Sequence, residues 1–193
     1  MTNIKFENKK ILDVVNENDE IVDHASRIDI HRLGLLHRQT HIWMFDKDKN
    51  IFFQKRGLHT KSAGLLDATV GGHINAGEEY IDAAIRETKE ETGISLKHSD
   101  LVLIKKLGPL NDSSEGVGSA INKFFCSVYI CKNPIAEENL QKEKGIPGGG
   151  FQKLSYDFLI NMHKEDKKMI KSYVLKKEIP DILNYLNKWK NQY

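Results

Sequence analysis

Hydrophobic and polar residues alternate through much of the first half of the chain, then shift to the spacing of a helix. Ile11–Val15 and residues 21–22 are short apolar runs. The segment between them, 16–20, holds Asn and Asp, so the three pieces predict a hairpin. Residues 27–33 carry a weak helical pattern. From Gln39 the alternation is regular: Gln39, His41, Trp43 and Phe45 point one way, Thr40, Ile42 and Met44 the other. Residues 46–50 make a polar turn, and 51–55 return as a second strand. Residues 65–70 read as a third extended piece ending at Gly71-Gly72.

The period then changes. A helix over 78–92 is expected to bury Ile81, Ala84, Ile85 and Thr88, and Gly93 stops it. Strands follow at 101–107 and 123–131. The stretch 133–150 contains Pro134, Pro147 and three consecutive glycines, and reads as a long loop, either a lid or a simple excursion. Two helices close the chain: 156–162, capped by Ser155, and 181–190, introduced by Pro180. In the last, Ile182, Leu183, Leu186 and Trp189 form a stripe suited to packing on the domain or on a partner subunit. Trp43 and Phe45 are expected in the core. The order strands, helix, strands, helix predicts an α+β fold with a mixed sheet. One domain over 1–193 is expected: hairpin and short helix in 1–33, a core in 34–163 and a helical appendage in 164–193.

Composition narrows the setting. A 193-residue chain with 39% hydrophobic content can build one proper core. A formal net charge of +2 gives no field that would draw it to nucleic acid or membrane. The lysines at 164, 167, 168, 171, 176 and 177 are interspersed with Glu165, Asp166 and Glu178, which favours a solvated surface over an RNA site. Only Cys126 and Cys131 occur, so no disulfide framework is expected and a reducing compartment fits. No apolar leader or membrane-length segment is present, so the expectation is a soluble, cytoplasmic protein, monomer or homodimer, without membrane or nucleic-acid partners.

Residues 72–94 carry the chemistry. A glycine turn leads into a helix with Glu87, Glu90 and Glu91 on one side, at offsets that share a face. Like charges there repel, so a helix built only for stability would avoid them. A divalent cation removes the penalty, since hard oxygen ligands on a rigid rod suit Mg²⁺.

This stretch resembles the signature of the Nudix hydrolases. Gly72, Glu78, Arg86, Glu87, Glu90, Glu91, Gly93 and Ile94 match, and Thr88 stands where an aliphatic residue is usual. Seven fixed residue types at typical frequencies coincide by chance on the order of 10⁻⁹ per start position. The flanking residues His37-Arg38, Gln54-Lys55-Arg56, Lys61 and Leu66 to His73 resemble the branch that includes isopentenyl-diphosphate isomerase and its hydrolase-like relatives. The likeness spans about residues 10 to 131. Two features depart from the isomerase. Gly71 stands where that enzyme has its cysteine, and Ala120-Ile121-Asn122-Lys123 lacks the acids that lead into the next strand.

The resemblance implies a Nudix-type α/β/α sandwich that hydrolyses a diphosphate linkage in a small molecule, with Mg²⁺ or Mn²⁺. Glu87, Glu90, Glu91 and the Gly71 carbonyl would hold the metal, with Glu87 as ligand or as base on the water. Catalysis would fall to Glu87, Arg86 and Glu90, with Arg86 orienting the carboxylates. Glu78 would brace the loop, and Gly72 and Gly93 would be structural. Arg56 and Lys61 match contacts to diphosphate oxygens. His37 and His73 match imidazoles of a second metal site, with His31 or His41 as a third ligand that spacing does not choose between. A further acid near the closing helix is usual; Glu137, Glu138 and Glu143 are the candidates. An isomerase and a non-catalytic Nudix-like binding module remain the alternatives.

Overall fold

The computed structural model describes residues 10–58, 62–112, 121–141 and 148–189. The hairpin is present: β1 (Ile11–Val15) pairs antiparallel with β2 (Ile21–Ser26). β2 runs beyond the apolar pair at 21–22 because Asp23, His24 and Ala25 pair with β1 through their backbones, which leaves no hydrophobic trace. The Ser26 hydroxyl accepts from the Asp29 N–H and caps α1 (Arg27–Leu33), and Gly34 ends that helix at φ 67°.

β3 (Leu36–Phe45) is the central strand. On one side it runs parallel to β8 (Lys123–Cys131), from Leu36 opposite Lys123 to Trp43 opposite Ile130. On the other it pairs antiparallel with two strands in succession. β4 (Ile51–Lys55) takes its last two residues, and β6 (Val70–His73) takes Gln39 to Ile42. The predicted extended piece at 65–70 is therefore divided: β5 (Leu66–Asp67) belongs to β4, and the chain crosses to β3 only at Val70. Thr69 fills the fork, its hydroxyl donating to the Phe52 carbonyl and accepting from the Met44 N–H. Pairing with distant strands, absent from the local pattern, makes this break.

β7 (Leu101–Asn111) extends the sheet beyond β8, and β9 (Gly150–Leu154) adds to β4. β9 occupies the end of the expected loop and the residues after it. The mixed sheet agrees with the predicted α+β class. α2 (Tyr80–Thr92) covers one face, while α3 (Tyr156–Ile160), α4 (Ser172–Lys177) and α5 (Ile179–Lys188) lie on the other. α4 was not expected; its single fully buried side chain, Val174, gives too little periodicity to read among the lysines.

The alternation along β3 divides the two cores as predicted. Trp43 and Phe45 pack with Phe53, Phe124, Ile182 and Leu186 on one face. Ile42 and Met44 pack with Phe52, Val70, Ala83 and Ala84 on the other. In α2 the small residues sit deepest, while Ile81 and Ile85 are only partly buried at the margin. The stripe on α5 packs against this domain, with Ile182 and Leu186 buried and Leu183 and Trp189 half-buried. No described helix is long and apolar enough to cross a membrane.

Candidate active site

The turn ahead of α2 is held by the hairpin. Ala76 N–H donates to the Ile11 carbonyl (2.9 Å), and the Gly77 N–H points at both oxygens of buried Asp13 (3.3 and 3.2 Å). Asp19 receives the Arg38 guanidinium (2.6 Å) and the Tyr80 hydroxyl at the first turn of α2 (3.0 Å). Nothing in the local patterns of 11–26 announces this role.

Within the turn, Glu78 accepts the Asn75 N–H (3.0 Å) and takes two bonds from Arg86, both at 2.8 Å. Arg86 also reaches the His73 carbonyl (3.0 Å), Glu87 (2.6 Å) and Glu90 (3.4 Å). One planar guanidinium thus ties strand β6, the turn and two acids of the helix together. Burial alone would raise the Glu78 carboxyl, but the Arg86 hydrogen bonds hold it below the usual range.

Glu87 is the buried acid, 8% exposed and pressed on Gly72 so closely that any Cβ at 72 would overlap its carboxyl carbon. Desolvation raises its pKa, the Arg86 charge opposes, and Glu90 adds to the rise. An ionised Glu87 is therefore strained in this surrounding, and a cation would relieve it; carboxylate oxygens suit a hard divalent ion, though Glu87, Glu90 and Glu91 do not bring one oxygen each within 4.8 Å of one another. Glu90 is exposed and lies 3.9 Å from Lys10. Glu91 accepts a 2.7 Å bond from Gln54 on β4, a partner that the helix spacing could not show. Gly93 ends the helix at φ 77°.

A second cluster lies where β6 meets β3. His31, His37 and His73 bring one ring nitrogen each within 4.8 Å of one another, with His31 Nε2 and His73 Nε2 at 3.0 Å. The fold thus chooses His31, on α1, as the third imidazole. Burial pushes His37 down to about 4 and His73 well below the ordinary histidine value, so both are neutral donors at neutral pH. Gln39 lies among them, its Nε2 3.1 Å from His37 Nε2 and 3.1 Å from Asn122 Oδ1. His41 lies elsewhere, 2.9 Å from Glu178.

Arg56 follows β4 and has a buried Nε with no hydrogen-bond partner among the described residues. Its charge is felt by buried Asp67. Lys61 and Glu143 fall outside the described residues. Glu137 pairs with Lys153 (2.6 Å), and Glu138 is exposed beside the concavity of Gly93, Ile94 and Gln141. Two expectations of a solvated C-terminal surface fail: Lys171 is bound between Asp67 (3.2 Å) and Asp112 (2.8 Å), and Glu178 has no exposed surface. Both are recruited by polar groups from other elements, which local charge spacing does not encode.

Comparison with known proteins decides the lineage. Residues 35–153, well over half the chain, match the NUDIX domain. The chain belongs to the Nudix family. An uncharacterized Nudix hydrolase of Clostridium acetobutylicum is 29% identical over 157 residues, covering 78% of this chain and 72% of that one. An uncharacterized Nudix hydrolase of Streptomyces coelicolor is 41% identical over 92 residues, 45% of this chain and 48% of its own. The uncharacterized Nudix hydrolase YfcD of Escherichia coli is 41% identical over 86 residues, 44% and 47%. The matches thus span about half the length of the last two relatives. Among solved structures, DR0079 from Deinococcus radiodurans superposes with a TM-score of 0.62 at 21% identity, covering 86% of this chain and 96% of that one. A MutT protein from Methanosarcina mazei Go1 gives 0.56 at 15%, covering 80% and 96%. At such identities these two show the Nudix fold. Family and relatives make this chain a Nudix hydrolase, of a kind that acts on small molecules with divalent metal ions.

Proposed function

We propose that this Nudix hydrolase cleaves a diphosphate linkage in a small molecule of the nucleoside-diphosphate type or a relative of it, using Mg²⁺, or Mn²⁺ in its place. Glu87, Glu90, Glu91 and the Gly71 carbonyl would hold the ion. The observation that carries this is Glu87: a desolvated carboxylate wedged on Gly72, one residue from Arg86 and one turn from Glu90. The bound ion would neutralise phosphate oxygens and lower the pKa of the attacking water.

The chain's own residues do the rest. Arg86 aims Glu87 and Glu90, Gln54 aims Glu91, and Glu87 serves as a ligand or takes the proton from the water. Arg56 and Lys61 are assigned to the phosphate that leaves. His37 and His73, joined by His31, are assigned to a second cation; three imidazoles meeting at one point suit a divalent transition metal. A cytoplasmic setting belongs to this reading, since Cys126 and Cys131 are buried free thiols.

Isomerase chemistry of the resembling branch needs a thiol at 71. Here residue 71 is glycine, and a Cβ on it would stand 3.0 Å from His41 Cδ2, so the ring would have to shift to admit a side chain. Chromatography of the products from nucleoside diphosphates, nucleotide sugars, prenyl diphosphates and thiamine diphosphate, which separates phosphomonoesters and inorganic phosphate from intact substrate, tests the proposal. No cleavage with either metal would overturn it, and proton exchange at isopentenyl diphosphate in deuterated water would favour the isomerase.

A further inference from the structure

Residues 170–178 form a strap across the face of β3 that carries His37, Gln39 and His41. One end is fixed to β5: Ile170 bridges Leu66, the Lys171 N–H donates to the Leu66 carbonyl (2.9 Å), and its ammonium lies between Asp67 and Asp112. The other end is fixed by Glu178, whose two oxygens accept His41 Nδ1 and Trp43 Nε1, each at 2.9 Å. Between these anchors the Tyr173 hydroxyl meets His41 Nε2 at 3.2 Å. A carboxylate, an imidazole and a phenol are thus in line, from fully buried Glu178 through His41 to half-buried Tyr173.

The outer end of this line lies by Gly71, whose carbonyl is one of the candidate metal ligands. Gly71 pairs directly across from His41 and is itself partly exposed. Ring contacts run from Tyr173 to Phe124 (5.9 Å) and from Phe124 to His37 (6.2 Å), so the phenol and the imidazole trio share one wall. A scaffold role for Glu178 is complete without the phenol, because His41 and Trp43 already satisfy both of its oxygens. A tyrosine hydroxyl bonded to one imidazole nitrogen keeps capacity for a second partner. The Lys171 ammonium lies 4.7 Å from the centre of the Tyr173 ring and is matched there by Asp67 and Asp112, so this end of the wall is polar.

We propose that Tyr173, held in place by His41 and Glu178, is a specificity-determining contact to the organic part of the diphosphate substrate, and that it selects a hydroxyl- or base-bearing group over a hydrocarbon chain. A hydrocarbon seated there would strip water from the hydroxyl and return no hydrogen bond, whereas a sugar or base replaces the lost water. His41 and Glu178 act through Tyr173 as positioning residues. The inference rests on the hydrolase reading above.

Tyr173→Phe removes only the hydroxyl, so it is the primary test, with Glu178→Gln as a second variant. Hydrolysis of ADP-ribose and of geranyl diphosphate is measured with Mg²⁺. The wild type is expected to favour ADP-ribose. Tyr173→Phe is expected to raise KM for ADP-ribose about tenfold, leave kcat within about twofold, and leave geranyl diphosphate unchanged. Glu178→Gln should reproduce that split more weakly. An equal change for both compounds, no change in either, or a wild-type preference for geranyl diphosphate would overturn the contact. If the wild type hydrolyses neither compound, the wider panel of diphosphates named above judges the hydrolase reading. Calorimetry with ADP-ribose in Ca²⁺ then judges the contact alone: a Kd raised by Tyr173→Phe supports it, and an unmoved Kd or no binding overturns it.

Discussion

Arg86 shows how much one side chain can organise. Its guanidinium bonds Glu78, Glu87, Glu90 and the His73 carbonyl, so the orientation of the acids depends on a group that keeps its proton and its charge at any working pH. Glu91 is oriented separately, by Gln54. Two predictions follow from that division. Glu91→Gln should lower turnover at least about a hundredfold while circular dichroism and the unfolding transition stay near wild type, because it removes ligand charge and little packing. Wild-type hydrolysis by that variant would refute the role given to Glu91. Gln54→Leu leaves the charge but frees the carboxylate, so it should weaken Mg²⁺ affinity about tenfold, as outer-shell changes do; a titration of activity against Mg²⁺ measures it, and unchanged affinity would remove Gln54 from the site.

At the scale of elements, the hairpin and the strap are each pinned to a segment distant in the chain. The hairpin holds the turn before α2 through Asp13 and Asp19; the strap is clipped to β5 by Asp67 and Lys171. Burial would raise the Asp67 carboxyl, but the charges of Lys171, His41 and Arg56 together hold it below the usual carboxylate range. Burial would lower the Lys171 pKa, and Asp67 and Asp112 raise it instead. The depressed Asp67 contributes stability that is present above the ordinary carboxylate pKa of about 4 and lost as pH falls through its lower folded value. The raised Lys171 contributes stability that is present below about pH 10.4 and lost as pH rises through its higher folded value. Asp67→Asn should therefore cost about 3 kcal/mol across the neutral plateau, since it leaves a buried cation short of one partner. In urea denaturation the gap between wild type and variant should close on the acid side; a gap that persists undiminished to pH 2 would show that the clip is not ionic.

For the molecule as a whole, the metal site proposed on the acids around α2 would couple ion binding to stability. At Mg²⁺ near 100 times Kd the native state should gain about 2.7 kcal/mol, a rise of several degrees in Tm for a chain this size. Scanning calorimetry should show the rise in wild type and a much smaller one in Glu91→Gln; equal shifts would place the ion elsewhere. Much of this was readable along the chain. The alternation on β3, the positions of β4, β8 and α2, the Gly93 stop and the acidic face all follow from local rules, since strand and helix periods and glycine conformations are properties of neighbouring residues. The division of β5 from β6, the late strand β9, helix α4, the choice of His31 over His41, the Gln54 bond to Glu91 and the burial of Lys171 and Glu178 were not readable. Each joins residues far apart in the chain, and a partner supplied by another strand or helix leaves no periodic mark on the segment that receives it. Sequence by itself determined which residues could bear a metal and on what kind of element they stand; only the tertiary structure decided which of them meet.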